Sequence, residues 1–157
     1  MSAPVFVILL VLALAAVNGV IWIPIILWVG KKRAAALGRL AQETSDSGER
    51  TVRGPERALY RGGTGNYSSV SGNGILLLTD RRLVFVKVTG GRVEVDRSLI
   101  GSVREAKVFL GSARGGRTHV VITTSVGSEI GFIVGDPQAW IGVLNASRRL
   151  TGLGTNP

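Results

Sequence analysis

The sequence predicts one N-terminal transmembrane helix followed by a mainly-β domain of about seven antiparallel strands, curled and closed by one C-terminal α-helix. Three observations lead there. The run Ala3 to Gly30 carries no charged side chain and is followed at once by Lys31, Lys32 and Arg33. Beyond Arg53 the pattern changes to short β-branched runs separated by Gly and polar pairs. After Asp136 and Pro137 a single stripe of apolar residues returns at helical spacing.

Taken in order, Val5 to Val29 as a helix would rise roughly 37 Å, enough to cross a bilayer core of about 30 Å with some tilt. Asn18, Gly19 and Pro24 interrupt the run at points where neighbouring turns can satisfy the freed backbone. Trp22 and Trp28 stand near the basic end, where the amphipathic indole suits the headgroup boundary. A cleaved secretory signal would place positive charge before a run of about 7–15 apolar residues, whereas here the charge follows a longer one. Lys31, Lys32 and Arg33 therefore form the membrane-anchoring flank, and the positive-inside rule puts everything after Gly30 in the cytoplasm. The expected localisation is the plasma membrane, single-pass, with the C-terminal domain cytoplasmic.

Residues 31–53 read as a basic juxtamembrane helix and a polar linker. Arg33 to Gln42 has good helix formers, with Leu37 and Leu40 on one face. Glu43 to Pro55 is rich in Ser, Thr, Gly and charge, which is linker chemistry. The β domain then occupies 54–152, with 153–157 as a tail. Its expected strands are Arg57–Arg61, Gly74–Thr79, Leu83–Val88, Arg92–Asp96, Ser102–Leu110, Thr118–Thr124 and Glu129–Val134, with a shorter one within Asn66–Val70. Turns fall at Asp80-Arg81, Gly90-Gly91, Gly111 to Gly116 and around Gly127, so the sheet should be a meander. Alternation in Arg92–Asp96 buries Val93 and Val95, while Ile75–Leu78 and Val120–Ile122 are apolar enough to be buried on both sides. Asp136 is an N-cap, Pro137 the first helical residue and Gly152 a stop; Trp140, Val143, Leu144 and Ser147 share one stripe. Trp140 should pack against the sheet near Phe85 and Phe132.

Charge and composition narrow the function. The net charge is +9 with a pI of about 11.3. Residues 51–157 hold 14 Lys/Arg against 7 Asp/Glu, so the domain is basic in its own right. Such a domain held beside an anionic leaflet is attracted to it, by roughly 1 kcal/mol for each well-placed cation. Nucleic acid is the other generic partner for a basic domain and is set aside for a tethered one. Without cysteine there are no disulfides, no thiolate catalysis and no cysteine-ligated zinc. His119, the single histidine, has no nucleophile, orienting acid or metal-ligand motif around it and reads as structural. Glu94 and Asp96 project to one side of a strand, toward solvent. No catalytic residue, metal site or cofactor is expected.

Strand after strand followed by one amphipathic helix resembles the bacterial PH-like and GRAM-like domains. The resemblance is carried by P-E-R-A-L-Y-R-G at Pro55–Gly62, G-I-L-L-L-T-D-R-R-L-V-F at Gly74–Phe85 and S-L-I-G-S-V at Ser98–Val103. I-T-T-S-V-G-S-E-I-G-F and the closing D-P-Q-A-W-I-G-V-L complete it over about the last two-thirds of the chain. It implies a partly open barrel and a binding or scaffolding module at membranes, in which the first inter-strand loop contributes to headgroup binding. That loop is Gly62–Gly74, too far from the G-x-x-x-x-G-K-[ST] order to be a phosphate loop of nucleotide-binding type. With Lys87 and Arg92 flanking the third hairpin, Gly65, Tyr67, Lys87 and Arg92 form the expected ligand pocket. Arg81, Arg82, Arg114 and Arg117 make a second basic group, with the Arg82 stem packing structurally. The expected function is a membrane-anchored cytoplasmic module engaging acidic phospholipid headgroups or a membrane-protein partner. The alternative is an accessory structural subunit of a transport or envelope assembly.

Overall fold

The computed structural model describes residues 28, 30, 31, 34, 35, 37–113 and 115–152, without the side chains of 112 and 147–152. The chain divides into two units, Met1–Ala35 and Ala36–Pro157. In the first, Trp28, Gly30, Lys31, Ala34 and Ala35 are helical and exposed.

The second unit begins with a helix, α1 (residues 37–46), and nine strands follow: β1 (Thr51–Gly63), β2 (Gly72–Thr79), β3 (Arg82–Lys87), β4 (Arg92–Asp96), β5 (Ile100–Ala106), β6 (Val108–Phe109), β7 (Ser112–Ala113), β8 (His119–Thr124) and β9 (Glu129–Ile133). The closing helix, α2, spans Pro137–Gly152. Seven strands form one antiparallel sheet in the order β4-β3-β2-β1-β9-β8-β5, and β6 and β7 form a separate hairpin.

This architecture corrects the expected fold class, a transmembrane helix joined to a partly open barrel. No helix among the described residues is long and apolar enough to cross a membrane. The α1 segment carries Arg39, Glu43 and Asp46, too polar for lipid, and most of the span expected at 3–30 lies outside the described residues. The sheet, for its part, is open. Between β4 and β5 the chain makes a 3-10 turn at Arg97–Leu99, and its hydrogen bonds go elsewhere: Arg97 N to Arg81 O, and Ser125 N to Leu99 O. With those groups engaged, β4 and β5 remain edges.

The polar stretch 43–55, expected as a linker, is helix to residue 46 and strand from Thr51. Its order comes from tertiary partners. Leu40 of α1 is buried with Ile75, Leu77 and Val84, and Leu37 and Val86 pack around them. Ile75 and Leu77 face that cluster while Leu76 and Leu78 face the main core, so β2 is apolar on both sides, as its unbroken run indicates. The expected strand within 66–70 is loop, and the expected strand 102–110 ends at Ala106, before the β6–β7 hairpin.

In the main core, the Tyr60, Phe85 and Phe132 rings meet with centroids 5.5–5.6 Å apart. Trp140 and Leu144 of α2 complete the same cluster, Trp140 being 1% exposed. The Trp140 indole N–H donates to Glu56 Oε1 at 2.5 Å, and the Arg53 guanidinium lies 5.1 Å over the indole ring. Asp136 Oδ1 accepts from Ala139 N at 3.0 Å, the expected N-cap.

Candidate functional site

Alternation along β3 and β4 decides what becomes of the expected pocket. On β3, Leu83 and Phe85 face the main core, which puts Lys87 on that face, while Arg82, Val84 and Val86 face outward. On β4, Val93 and Val95 face the core and Arg92, Glu94 and Asp96 face outward. Lys87 and Arg92 therefore lie on opposite faces of the sheet and do not converge.

Lys87 stays beside the Gly-rich loop. Its ammonium donates to the Val70 carbonyl at 2.8 Å and lies 5.1 Å from the centre of the Tyr60 ring. The Tyr60 hydroxyl in turn donates to Ser68 O at 2.5 Å. Burial, and secondarily Tyr67 nearby, push the Tyr60 phenol up to about 12. Tyr67 is half-buried against the main core, and burial raises its phenol too. The other end of the loop is bound to the β8–β9 hairpin: Thr64 N donates to Glu129 O, and Glu129 N to Thr64 Oγ1, both at 2.8 Å. Gly65, at φ +63°, lies against Ser128, where a side chain would collide with the Ser128 hydroxyl. Gly65, Tyr67 and Lys87 thus belong to one fastened loop, whose polar groups are largely committed within the protein.

Arg92 belongs to a different assembly. Its guanidinium donates to both carboxylate oxygens of Glu43, at 2.6 and 2.7 Å, and pairs with Glu94. Arg82 stands at the centre, with Glu49 at 3.0 Å, Glu43 at 2.9 Å and Glu94 at 3.2 Å. Two guanidinium forks matched to three carboxylates clasp α1 and the following turn to the outer face of β3 and β4. The Arg92 hydrogen bond, supported by Arg82, brings the Glu43 carboxyl down to about 2. Burial works against the charge on Glu49, but bonds from Arg82, Thr79 and Ser47 outweigh it and lower its pKa. The hydrogen bond with Glu49 raises the Arg82 pKa, and that with Glu43 raises the Arg92 pKa. Sequence reasoning missed this clasp because Glu43 and Glu49 sit in a stretch of linker composition. The available signal was Leu37 and Leu40 on one face, an apolar stripe in need of cover.

Of the membrane-anchoring flank, Lys31 and Trp28 are exposed on helical backbone, while Trp22, Lys32 and Arg33 lie outside the described residues, as does Arg114. Arg81 and Arg117 are exposed. Asp96 accepts from the backbone and hydroxyl of Ser98, which lowers its pKa. His119 is fully buried beneath the β6–β7 hairpin, with Nδ1 3.0 Å from Ala106 O and the Phe109 ring centroid 6.5 Å away. Among the described residues there is no group of three or more His, Cys, Asp or Glu placed to hold a metal ion.

No family model and no curated protein matches the chain. Among solved structures, it is similar to the crystal structure of the C-terminal domain of an unknown protein from Leishmania infantum. Identity is 14% and the TM-score 0.49, over 70% of this chain and 95% of that one, a likeness too distant to carry an argument.

Proposed function

We propose that the chain is a non-catalytic binding module of PH-like or GRAM-like kind that works at an anionic membrane surface, engaging acidic phospholipid headgroups. The observation that carries this reading is how the charges are allocated. Glu43, Glu49 and Glu94 are held by Arg82 and Arg92, Glu56 by Arg53 and Trp140, and Glu129 by Arg104, while Asp96 and Asp136 cap backbone. Arg39, Arg50, Arg57, Arg81, Lys107 and Arg117 are exposed, with no carboxylate within ion-pair distance among the described residues. The surplus positive charge is therefore at the surface and distributed, which suits a surface of like headgroups better than one enclosed ligand. The uncharged run 3–30, with its basic flank, supports a location at the membrane.

Residues 36–157, a compact unit with its own core, provide the test. They should sediment with vesicles rich in phosphatidylserine and not with phosphatidylcholine alone, and doubling the salt should release them. Failure to bind anionic vesicles even at low salt would overturn the reading in favour of the accessory-subunit alternative, in which the domain surface is reserved for protein.

A further inference from the structure

The β6–β7 hairpin, outside the main sheet, turns on a non-glycine residue of positive φ. Phe109 points inward and is buried, packed so closely over Gly131 that a Cβ there would enter its ring. Its neighbours point the other way: Val108 is 56% exposed and Leu110 49%. Leu110 has φ +47° and Gly111 φ +70°, the paired left-handed conformation of a tight two-residue turn. Glycine, asparagine and aspartate adopt that conformation readily; leucine does so only against steric resistance from its own Cβ. Among the described residues Leu110 is the only non-glycine with positive φ. An aliphatic side chain is thus held at the tip where local chemistry calls for a small or polar one, and strain of this kind persists at functional positions.

The surroundings indicate what the tip meets. A Cβ on Gly62 would lie 2.7 Å from the Ser69 carbonyl oxygen and 3.2 Å from Leu110 Cδ1, so Leu110 and the Ser69–Val70 stretch flank one point. Val70 is 67% exposed, and its carbonyl carries the Lys87 ammonium. Lys107 and Arg117 are exposed on either side of the hairpin. From 107 to 128 the sequence contains Lys107, Arg114 and Arg117 and no Asp or Glu. The carboxylates that bracket this stretch in sequence are already engaged, Glu105 with Gln138 and Glu129 with Arg104.

From this we infer that the β6–β7 hairpin is a membrane-wetting tip, with Val108, Leu110 and Val70 entering the acyl boundary of an anionic bilayer while Lys107 and Arg117 stay among the headgroups. Exposed aliphatic side chains flanked in sequence by exposed cations suit that interface, whose inner layer is apolar and whose outer layer is negative. The inference rests on the proposed function and adds which surface makes contact, and by what chemistry.

The chain has no cysteine, so a single Leu110→Cys or Val108→Cys carries an environment-sensitive fluorophore without side reactions. With full-length protein mixed with liposomes, emission from either position should shift to the blue on going from phosphatidylcholine to phosphatidylserine, and lipids brominated near the headgroup should quench it. A label at Ala146, exposed on α2, serves as the control and should do neither. Unshifted, unquenched emission at both hairpin positions would overturn the inference. If residues 36–157 still sedimented with anionic vesicles in that event, the proposed function would stand and another surface would be responsible. Leu110→Asn gives a second reading, since asparagine suits the left-handed turn: the unit should remain folded while its affinity for anionic vesicles falls about tenfold. Unchanged affinity would equally sink the inference, and a hairpin that docks protein instead would show neither the lipid-dependent shift nor the quenching.

Discussion

Arg92 on β4 grips Glu43 on α1 through two parallel hydrogen bonds, at 2.6 and 2.7 Å, across 49 residues of sequence. The pair does for α1 what a short loop cannot, fixing the helix's rotation so that Leu40 faces Ile75, Leu77 and Val84.

Acid should loosen that helix. The Glu43 carboxyl is lowered in the folded protein from 4.5 to about 2. Its contribution is therefore complete above about pH 4.5 and is lost as pH falls from there through about 2. Hydrogen exchange should show protection of residues 37–46 declining across that window before the main core opens. Glu43→Gln should reproduce the loosening at neutral pH at a cost of about 1 kcal/mol, the pair being partly exposed. Constant protection from pH 7 to 2 would mean that the apolar contacts alone hold α1.

Leu40→Ala separates those contacts from the charges. Leu40 is 3% exposed, and truncating such a leucine costs about 2–5 kcal/mol. Urea denaturation of residues 36–157 is the measurement, and a change below 0.5 kcal/mol would show that α1 rests on the sheet without supporting it.

Trp140→Ala should cost about 3–5 kcal/mol, since it opens a cavity beneath α2 and leaves the Glu56 carboxylate with Arg53 alone. Trp140→Phe keeps most of the bulk and removes the N–H, so it should lose less. Equal losses for the two variants would assign the effect to the hydrogen bond and not to packing.

Leu110→Gly should stabilise the domain by about 1 kcal/mol by relieving the left-handed strain at the hairpin tip. A fall in melting temperature would show that the contact of Leu110 with Gly62 outweighs the strain.

Gly131→Val places a branched side chain in the space filled by the Phe109 ring. Overpacking of this kind costs about 1–3 kcal/mol. The hairpin should lift, and amide protection should fall at 108–113 and around His119 while β1–β4 are unaffected.

The sheet was legible because its signals are local. Gly74–Thr79 and Leu83–Val88 show strand composition with turn residues between them, and Asp136-Pro137 announces α2; these features appear within a residue or two of where they were expected. Trp140 with Phe85 and Phe132 followed from the helical stripe. What could not be read was long-range. Whether Glu43 is a linker residue or part of a clasp depends on Arg92, which local periodicity does not connect to it. The pocket failed for a related reason: Lys87 and Arg92 flank one turn, but each position's parity relative to the core sends it to a different face. Nothing in the identity of Leu110 distinguishes a left-handed turn from the end of a strand.

In β2, with Ile75 and Leu77 on one side and Leu76 and Leu78 on the other, hydrophobic pattern alone cannot distinguish the correct pairing from one slipped by a residue. Something steric has to choose, and Gly74 is placed to do it. A Cβ there would lie 2.2 Å from the Val86 carbonyl oxygen and 2.5 Å from Phe85 Cζ, so the neighbouring strand and its aromatic ring are accommodated only where β2 has no side chain. A slip in either direction would bring Asn73 or Ile75 against that ring. An interior strand of an otherwise permissive sheet is thus indexed by a missing side chain, and Gly74→Ala should disturb pairing along β2 and β3 far more than the loss of any one leucine's area.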